Sequence, residues 1–558
     1  MPNLLSASLP LSFLSVHRCN IDTSMKRLQI CQLVLLLSTT LVLLSCMQSA
    51  APQPQSGNTQ IDRDLTEVSI TALQSMYASG KYTVTQVTQW HLDRIARYDG
   101  VYKSFLHVDS AGALATARAE DAAKRTAGAS FRPGPLWGIP MAVKGNTSVK
   151  GLVTINGWEG YTIPGRELTA PADASIVTRL KAAGAVILGH TNLPDFAAAD
   201  TTISSAGGRT GNAYNWRFSP GGSSGGTATA VAASFAVLGT GTDTSNSIRL
   251  PSGASGLVGV LPTRGLTSIN GIHPLDWLLD NTGPMARNVT DAAITLGVMA
   301  GEDAKDFRTL GSSTKVQPGP YAQYLKKDAL KGKRFGVPSF IMDDAALRPE
   351  TRDMFMKAIE RLRSEGATIV LNDAVLSGNF EALTEAIQTR PYLRDGLERF
   401  LQEFGPAQYH STTEYARIVG SSLPQFFVGL PLRNLQTDAD AEANFWGPQR
   451  RALTAYQETL EQHRLDGFVY PALQMPPNDE TVRQPGGGQS EGPHTRTGWT
   501  NTIGVPAVVV PGGIYSNGLP FGIEFSARPW KDGDLLGWAF AYEQATQFRK
   551  PPVLTDRK

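Results

Sequence analysis

Past residue 46 the chain has no cysteine; its three, Cys19, Cys31 and Cys46, all lie near the N-terminus. The body that follows therefore holds no disulfide, no zinc–thiolate site and no cysteine nucleophile, and nucleophilic chemistry there falls to an oxygen or an amine. Histidine is also sparse. His91, His107, His190, His273, His410, His463 and His494 are scattered, with no HExxH and no close pair. That pattern gives a zinc hydrolase no support, and isolated histidines are ordinarily structural or exposed. No metal and no cofactor is expected. Lysine and arginine form no block and the formal net charge is only +2, so a nucleic-acid partner is not expected. The glycine-rich stretch "SPGGSSGGTATAV" (219–231) is followed by no Gly-Lys-Ser or Gly-Lys-Thr, which removes a P-loop. No serine stands in a G-x-S-x-G with the strand-to-helix setting of an α/β-hydrolase elbow. There is no internal repeat.

Hydrophobic residues make up 41% of the 558-residue chain and charged residues 18%, a composition that buries a large core and fits an ordinary globular protein. The N-terminal part reads as an address. In "MKRLQICQLVLLLSTTLVLLSC" (25–46), Lys26 and Arg27 precede an apolar run, Leu33 to Ser45, of 13 residues. A spanning helix needs about 20, whereas this length suits an export signal. The run ends Leu-Leu-Ser-Cys, which resembles a bacterial lipobox and implies cleavage before Cys46 and lipid on its thiol. An uncleaved membrane anchor is the alternative. Met25 stands where such a signal begins and is a candidate start. "MQSAAPQPQSGNTQ" then reads as a flexible tether. The expected organisation is a signal region over 1–45, the lipidated Cys46 and tether over 46–62, and one domain over 63–555. The expected location is exported and membrane-anchored, at the periplasm or outer membrane.

Within the body, apolar spacing from Thr66 to Asp99 predicts two helices with a turn at Gly80. "DASIVTRLKAAGAVILGHTN" predicts a helix stopped at Gly184 and a strand Ala185 to Leu188. "GTATAVAASFAVLGTGTDT" repeats that order, with a small-residue helix, a strand Ala236 to Leu238 and then a loop. Helices alternating with short apolar strands argue for an α/β fold. Residues 320–465 read as mainly helical, and "GVPAVVVPGGIYSNGLPFGIEFSA" (504–527) as strands around a turn at Asn517-Gly518. "RQPGGGQSEGPH" (483–494) reads as a mobile surface loop.

Two stretches attract chemistry. Lys144 ends the apolar run Ile139 to Val143 in "LWGIPMAVKGNTSVKG". Burial there disfavours the charged ammonium and would make the amine a usable base. In "TDTSNSIRLPS" (242–252), Ser245 and Ser247 flank an asparagine in a polar segment, and either is a candidate nucleophile.

These stretches sit within longer blocks: "LWGIPMAVKGN" (136–146), "ASIVTRLKAAGAVILGHTNLPDFA" (174–197), "GNAYNWRFSPGGSSGGTATAVAA" (211–233), "LGTGTDTSNSIRLPSGASGLVGVLPTRG" (238–265), "DNTGPMARNVTDAA" (280–293), and "TNTIGVPAVVVPGG" with "GLPFGIEF". With them the chain resembles the amidase signature family of serine hydrolases. The resemblance implies a central twisted mixed β-sheet covered by helices on both faces, and a Ser–cis-Ser–Lys triad. Carried over by motif, the base is Lys144, the bridging serine with a cis peptide is Ser223, and the nucleophile is Ser247. Backbone N–H groups of Thr244, Ser245, Asn246 and Ser247 would form the oxyanion hole. Asp243 and Arg249 would brace the nucleophile turn by a salt bridge, and Ser224 and Ser245 read as backbone supports. Two departures stand out. Ser245-Asn246 replaces the usual Gly-Gly, and Gly145 replaces an aspartate common after the lysine. The lost carboxylate is expected to lower the lysine's pKa or loosen the loop.

The implied activity is hydrolysis of a small-molecule carboxamide to acid plus ammonia or amine. The alternatives are a catalytically inactive amide-binding lipoprotein and a component of a transamidation complex that supplies its ammonia. Trp277 and Leu278 are candidate walls of an acyl pocket, with Trp158 and Trp499 as weaker ones. A homodimer is compatible with the sequence.

Overall fold

The computed structural model describes residues 59–371, 375–376, 378–482 and 493–556. The signal region, Cys46 and most of the tether lie outside the described residues, as does nearly all of the glycine-rich loop 483–494. Two compact units divide the chain, Met1–Arg63 and Asp64–Lys558. In the first, the Thr59 hydroxyl donates to Asp62 at 2.6 Å. The second carries the whole sheet. Among the described residues no helix is long and apolar enough to cross a membrane.

The strands are β1 (Phe105–Val108), β2 (Pro140–Lys144), β3 (Val186–Thr191), β4 (Ile203–Ser204), β5 (Gly208–Arg209), β6 (Leu238–Asp243), β7 (Val258–Leu261), β8 (Asn281–Ala286), β9 (Arg334–Gly336), β10 (Thr368–Val370), β11 (Gly467–Pro471), β12 (Ala507–Ile514) and β13 (Pro520–Ala527). Eleven of them form one sheet in the order β1-β3-β2-β6-β8-β7-β12-β13-β11-β9-β10, and β4 and β5 form a separate ribbon. The sheet is mixed. β2 runs parallel to both β3 and β6, whereas β6, β8, β7, β12 and β13 alternate antiparallel. Helices flank it, giving the α/β architecture expected.

Local chemistry explains the elements. The two N-terminal helices, Ile70–Ala78 and Val84–Tyr102, are separated at Gly80 (φ +73°). Ser69 caps the first, and Thr83 with Gln86 forms a capping box on the second. The helix Ser175–Ala182 ends before Gly184 (φ +92°), and β3 follows, running three residues further than the apolar run suggested. The second helix–strand unit needs a larger correction. The strand expected at Ala236 to Leu238 instead begins at Leu238 and runs on through "GTGTD", which had read as a loop. These small residues are strand because the helix Gly225–Ala232 presses on them. A Cβ at Gly239 would lie 2.5 Å from Thr227 Cγ2, so close packing, not hydrophobic alternation, decides the composition.

The C-terminal hairpin β12–β13 turns at Asn517-Gly518 as expected, with Tyr515 N donating to Leu519 O at 2.8 Å. Residues 320–465 carry the helices Pro349–Ser364, Gly378–Glu385, Leu393–Phe404, Thr412–Val419 and Gly447–Gln462, together with the short strands β9 and β10. Their apolar faces build two buried clusters. One centres on Tyr456, Phe468 and Trp499, the other on Phe196, Phe400 and Tyr415.

Candidate active site

Parallel pairing of β2 with β6 brings the C-terminal ends of both strands to one edge of the sheet, the usual place for a site in sheets of this kind. Lys144 is the last residue of β2 and is fully buried. β6 ends at Asp243 and leads into the turn 244–248. The loop carrying Ser223 enters the helix Gly225–Ala232 beside them. That helix approaches so closely that a Cβ at Gly226 would stand 2.3 Å from Asn192 O; only glycine fits there.

The Lys144 Nζ lies 2.7 Å from Ser223 Oγ, 2.8 Å from Thr242 Oγ1 and 3.4 Å from Thr242 O. Asn146 Nδ2 donates to the same Thr242 hydroxyl at 3.1 Å. Burial pushes the lysine's pKa down to about 7, against the pull of the Asp243 and Asp280 carboxylates. The lysine is therefore not without carboxylates, as the missing aspartate at 145 had suggested; burial outweighs two of them. At position 145 a Cβ would meet Thr191 O at 2.8 Å and Leu106 Cδ1 at 3.0 Å, so β3 in this position leaves no room for a longer side chain.

The Gly222–Ser223 peptide is cis. Ser224 N donates to Ser247 O at 3.2 Å, and the Ser224 hydroxyl donates to Thr242 O at 3.2 Å. Ser224 thus stitches the Ser223 loop to β6 and to the turn, which fits a support. Ser247 is 6% exposed, and its hydroxyl makes no hydrogen bond to a described residue. The chain segments of Ser223 and Ser247 are adjacent, but in this conformation only the Lys144–Ser223 contact is closed. Catalytic contacts of this kind commonly tighten on substrate binding.

The turn is held from several sides. Asp243 Oδ2 accepts from Ile248 N and from Arg249 Nε, both at 3.1 Å, and Asp243 Oδ1 accepts from Arg249 Nη2 at 3.2 Å. This fork is fully buried, not a surface pair. Arg249 also donates to Thr497 O at 3.0 Å, to Ser245 O and to the Glu524 carboxylate. Burial alone would weaken the guanidinium's hold on its proton, and Asp243 and Glu524 more than restore it. Asn501 Nδ2 donates to Asp243 O at 2.8 Å, and the Thr244 hydroxyl donates to Asp280 at 2.5 Å. None of the Thr244, Ser245, Asn246 and Ser247 N–H groups has a protein acceptor among the described residues. Four unspent donors beside one hydroxyl can receive a negative oxygen. Asn246 is buried and Ser245 is exposed.

Removing Arg249 would leave two carboxylates buried without their counter-charge. Arg249→Met is expected to cost about 3–5 kcal/mol of stability, read as a lowered urea midpoint at unchanged slope. A loss below about 1 kcal/mol would show that the fork does not hold the fold.

Sequence reasoning did not single out Thr242, Asp280, Asn501 or Glu524. Glu524 carried a signal, being a carboxylate inside the apolar strand "PFGIEFSA", where a buried charge needs a partner. The tryptophans divide. Trp499 packs in the core against Tyr456 and Tyr470. Trp277 donates to Tyr392 O at 3.0 Å and lines a cavity of about 460 Å³ with Phe307 and Phe400. Leu278 borders a different cavity, of about 320 Å³. Trp158 lies against Phe196.

The family model "Amidase" matches residues 86–536. A glutamyl-tRNA(Gln) amidotransferase component from Acinetobacter baumannii is 31% identical over 502 residues, covering 87% of this chain and 97% of its own. Among solved structures, a peptide amidase bound to the competitive inhibitor chymostatin is 30% identical with a TM-score of 0.74, covering 88% of this chain and 99% of its own. The native peptide amidase from Stenotrophomonas maltophilia is 31% identical with a TM-score of 0.71, over the same shares.

Proposed function

The chain belongs to the amidase family, and from that premise we propose that it hydrolyses a small-molecule carboxamide through an acyl-enzyme on Ser247. The single observation that carries the reading is the buried Lys144 amine 2.7 Å from the Ser223 hydroxyl, with Ser223 in the loop tied to Ser247. A neutral amine has two N–H bonds and one lone pair. With its hydrogens on Thr242 Oγ1 and Thr242 O, the lone pair is left for the Ser223 proton. Ser223 gives that proton to Lys144 and takes the Ser247 proton in its place. Ser247 Oγ attacks the carbonyl carbon, the C–O bond forms and the π electrons move onto oxygen. The free N–H groups of 244–247 stabilise that oxyanion. Collapse breaks the C–N bond, and the proton held by Lys144 returns through Ser223 to the departing nitrogen. Water, deprotonated by the same relay, then attacks the ester and releases the acid.

The test is a panel of primary and secondary amides given to the purified mature chain, with ammonia or amine release measured. Hydrolysis of a simple amide by the isolated chain supports the reading; inertness across the panel removes it.

One observation favours a second reading. The relatives named as amidotransferase components suggest a chain that liberates ammonia for a partner's reaction. Ammonia release that appears only when a partner is added would favour it. A catalytically inactive amide-binding protein is the third possibility. It predicts saturable amide binding without turnover.

We propose a location as well. The charged n-region, the 13-residue apolar run and Cys46 support export and lipid anchoring at the periplasmic or outer membrane. Mass spectrometry of the mature N-terminus tests this, with lipid on Cys46 as the expected result. No nucleic acid is required, and a homodimer is compatible with the reading.

A further inference from the structure

Asp200 lies beside the proposed site and has no role in the acyl transfer just described. Its carbonyl carbon would stand 2.7 Å from a Cβ at Gly222, so its backbone rests on the residue before Ser223. Asn246, in the middle of the turn whose N–H groups are unspent, is near enough to favour the charged form of the Asp200 carboxylate. Asp200 is half-buried, while Ala198, Ala199 and Ser245 around it are exposed. The carboxylate therefore sits at the rim, not in the core. Among the described residues no lysine or arginine neutralises it. The exposed His494 lies near enough to favour its charged form, and Asp243 opposes it. The buried Asn246 Oδ1 has no hydrogen-bond partner among the described residues. The turn thus carries one buried acceptor without a donor, and beside it stands a half-buried carboxylate that no lysine or arginine among the described residues pairs.

A carboxylate here works against a neutral substrate, because its charge opposes the oxyanion growing on the neighbouring turn. A positive charge on the substrate would reverse that by occupying the carboxylate. We propose that Asp200 is a specificity-determining residue that selects amides bearing a cationic group a few atoms from the scissile bond; this rests on the amidase reading. The sign of the charge holds at working pH. Burial raises the Asp200 carboxyl to about 6, partly offset by Asn246 and His494, so it is charged where Lys144 is neutral.

The probes are primary alkanamides ending in trimethylammonium, over a short series of chain lengths, each matched to its tert-butyl isostere. Size and shape are equal and only charge differs. At about pH 8 the wild type is expected to show kcat/KM about tenfold higher on the cationic member, one pK unit's worth of interaction. Asp200→Asn should lower kcat/KM for the cationic amide about tenfold and raise it for the neutral one. A merely structural role would lower both by the same factor, and that result, or a preference that survives Asp200→Asn, overturns the proposal. Calorimetric binding of the same pair to the Ser247→Ala variant separates this inference from the reading beneath it. Tighter binding of the cationic member that disappears with Asp200→Asn, in a chain that hydrolyses nothing, would keep the selectivity and remove the hydrolase. Equal binding of both members, with neutral amides still hydrolysed by the wild type, would do the reverse.

Discussion

Ser247→Ala is expected to lower kcat/KM on any amide the chain turns over by at least about 10⁴-fold, and to abolish labelling by a fluorophosphonate probe. The expectation rests on how little else is available. The described body offers no thiol, and Ser224 is committed to Thr242 O while Ser223 faces Lys144. Ser247 stands buried beside unspent N–H donors with an uncommitted hydroxyl, its carbonyl tied to the Ser223 loop through Ser224 N, whereas Ser245 is exposed. The fold should survive, since the lost hydroxyl makes no hydrogen bond to a described residue. Unfolding curves of variant and wild type should therefore coincide within a few tenths of a kcal/mol. Turnover retained within tenfold, or labelling that moves to another serine, would remove Ser247 as the attacking group.

The second large effect is on Lys144. A base works only when unprotonated, and burial sets its pKa at about 7. Below that value kcat/KM should fall about tenfold per pH unit, and above it the profile should level. Lys144→Met should remove turnover at every pH. Stability should move the other way. The unfolded chain's lysine keeps its proton up to its ordinary pKa, near 10.4, and the native one gives it up near 7. Between these values the unfolded state binds more protons, so native stability rises with pH. The wild type thus carries a burial penalty at neutral pH that Lys144→Met lacks. The variant's melting temperature is expected to exceed that of the wild type at pH about 7 and the gap to close towards about 10. A wild-type rate flat across acid pH would contradict a neutral-lysine base, and a gap that does not change with pH would contradict its depressed pKa.

The turn shows how motif and structure divide the work. Asp243 and Arg249 were legible as a brace because they stand six residues apart around the serine. That they are buried, and that Arg249 reaches Glu524 and Thr497, was not legible. Those contacts span 275 and 248 residues and depend on β7, β12 and β13 lying side by side. β6 was misread for a related reason. Its glycines and threonines answer to a helix pressed against them, and no hydrophobic period records that pressure.

By itself the sequence determined the family, excluded a thiol nucleophile in the body and named the triad candidates, because cysteine is absent from the body and the motif blocks are contiguous, each read within a few dozen residues. Only the tertiary structure decided the state of Lys144 and the company of Asp200. Both depend on how far water is excluded and on which charges arrive from distant strands and loops, and solvent exclusion is a property of the packed sheet that no local run of residues contains.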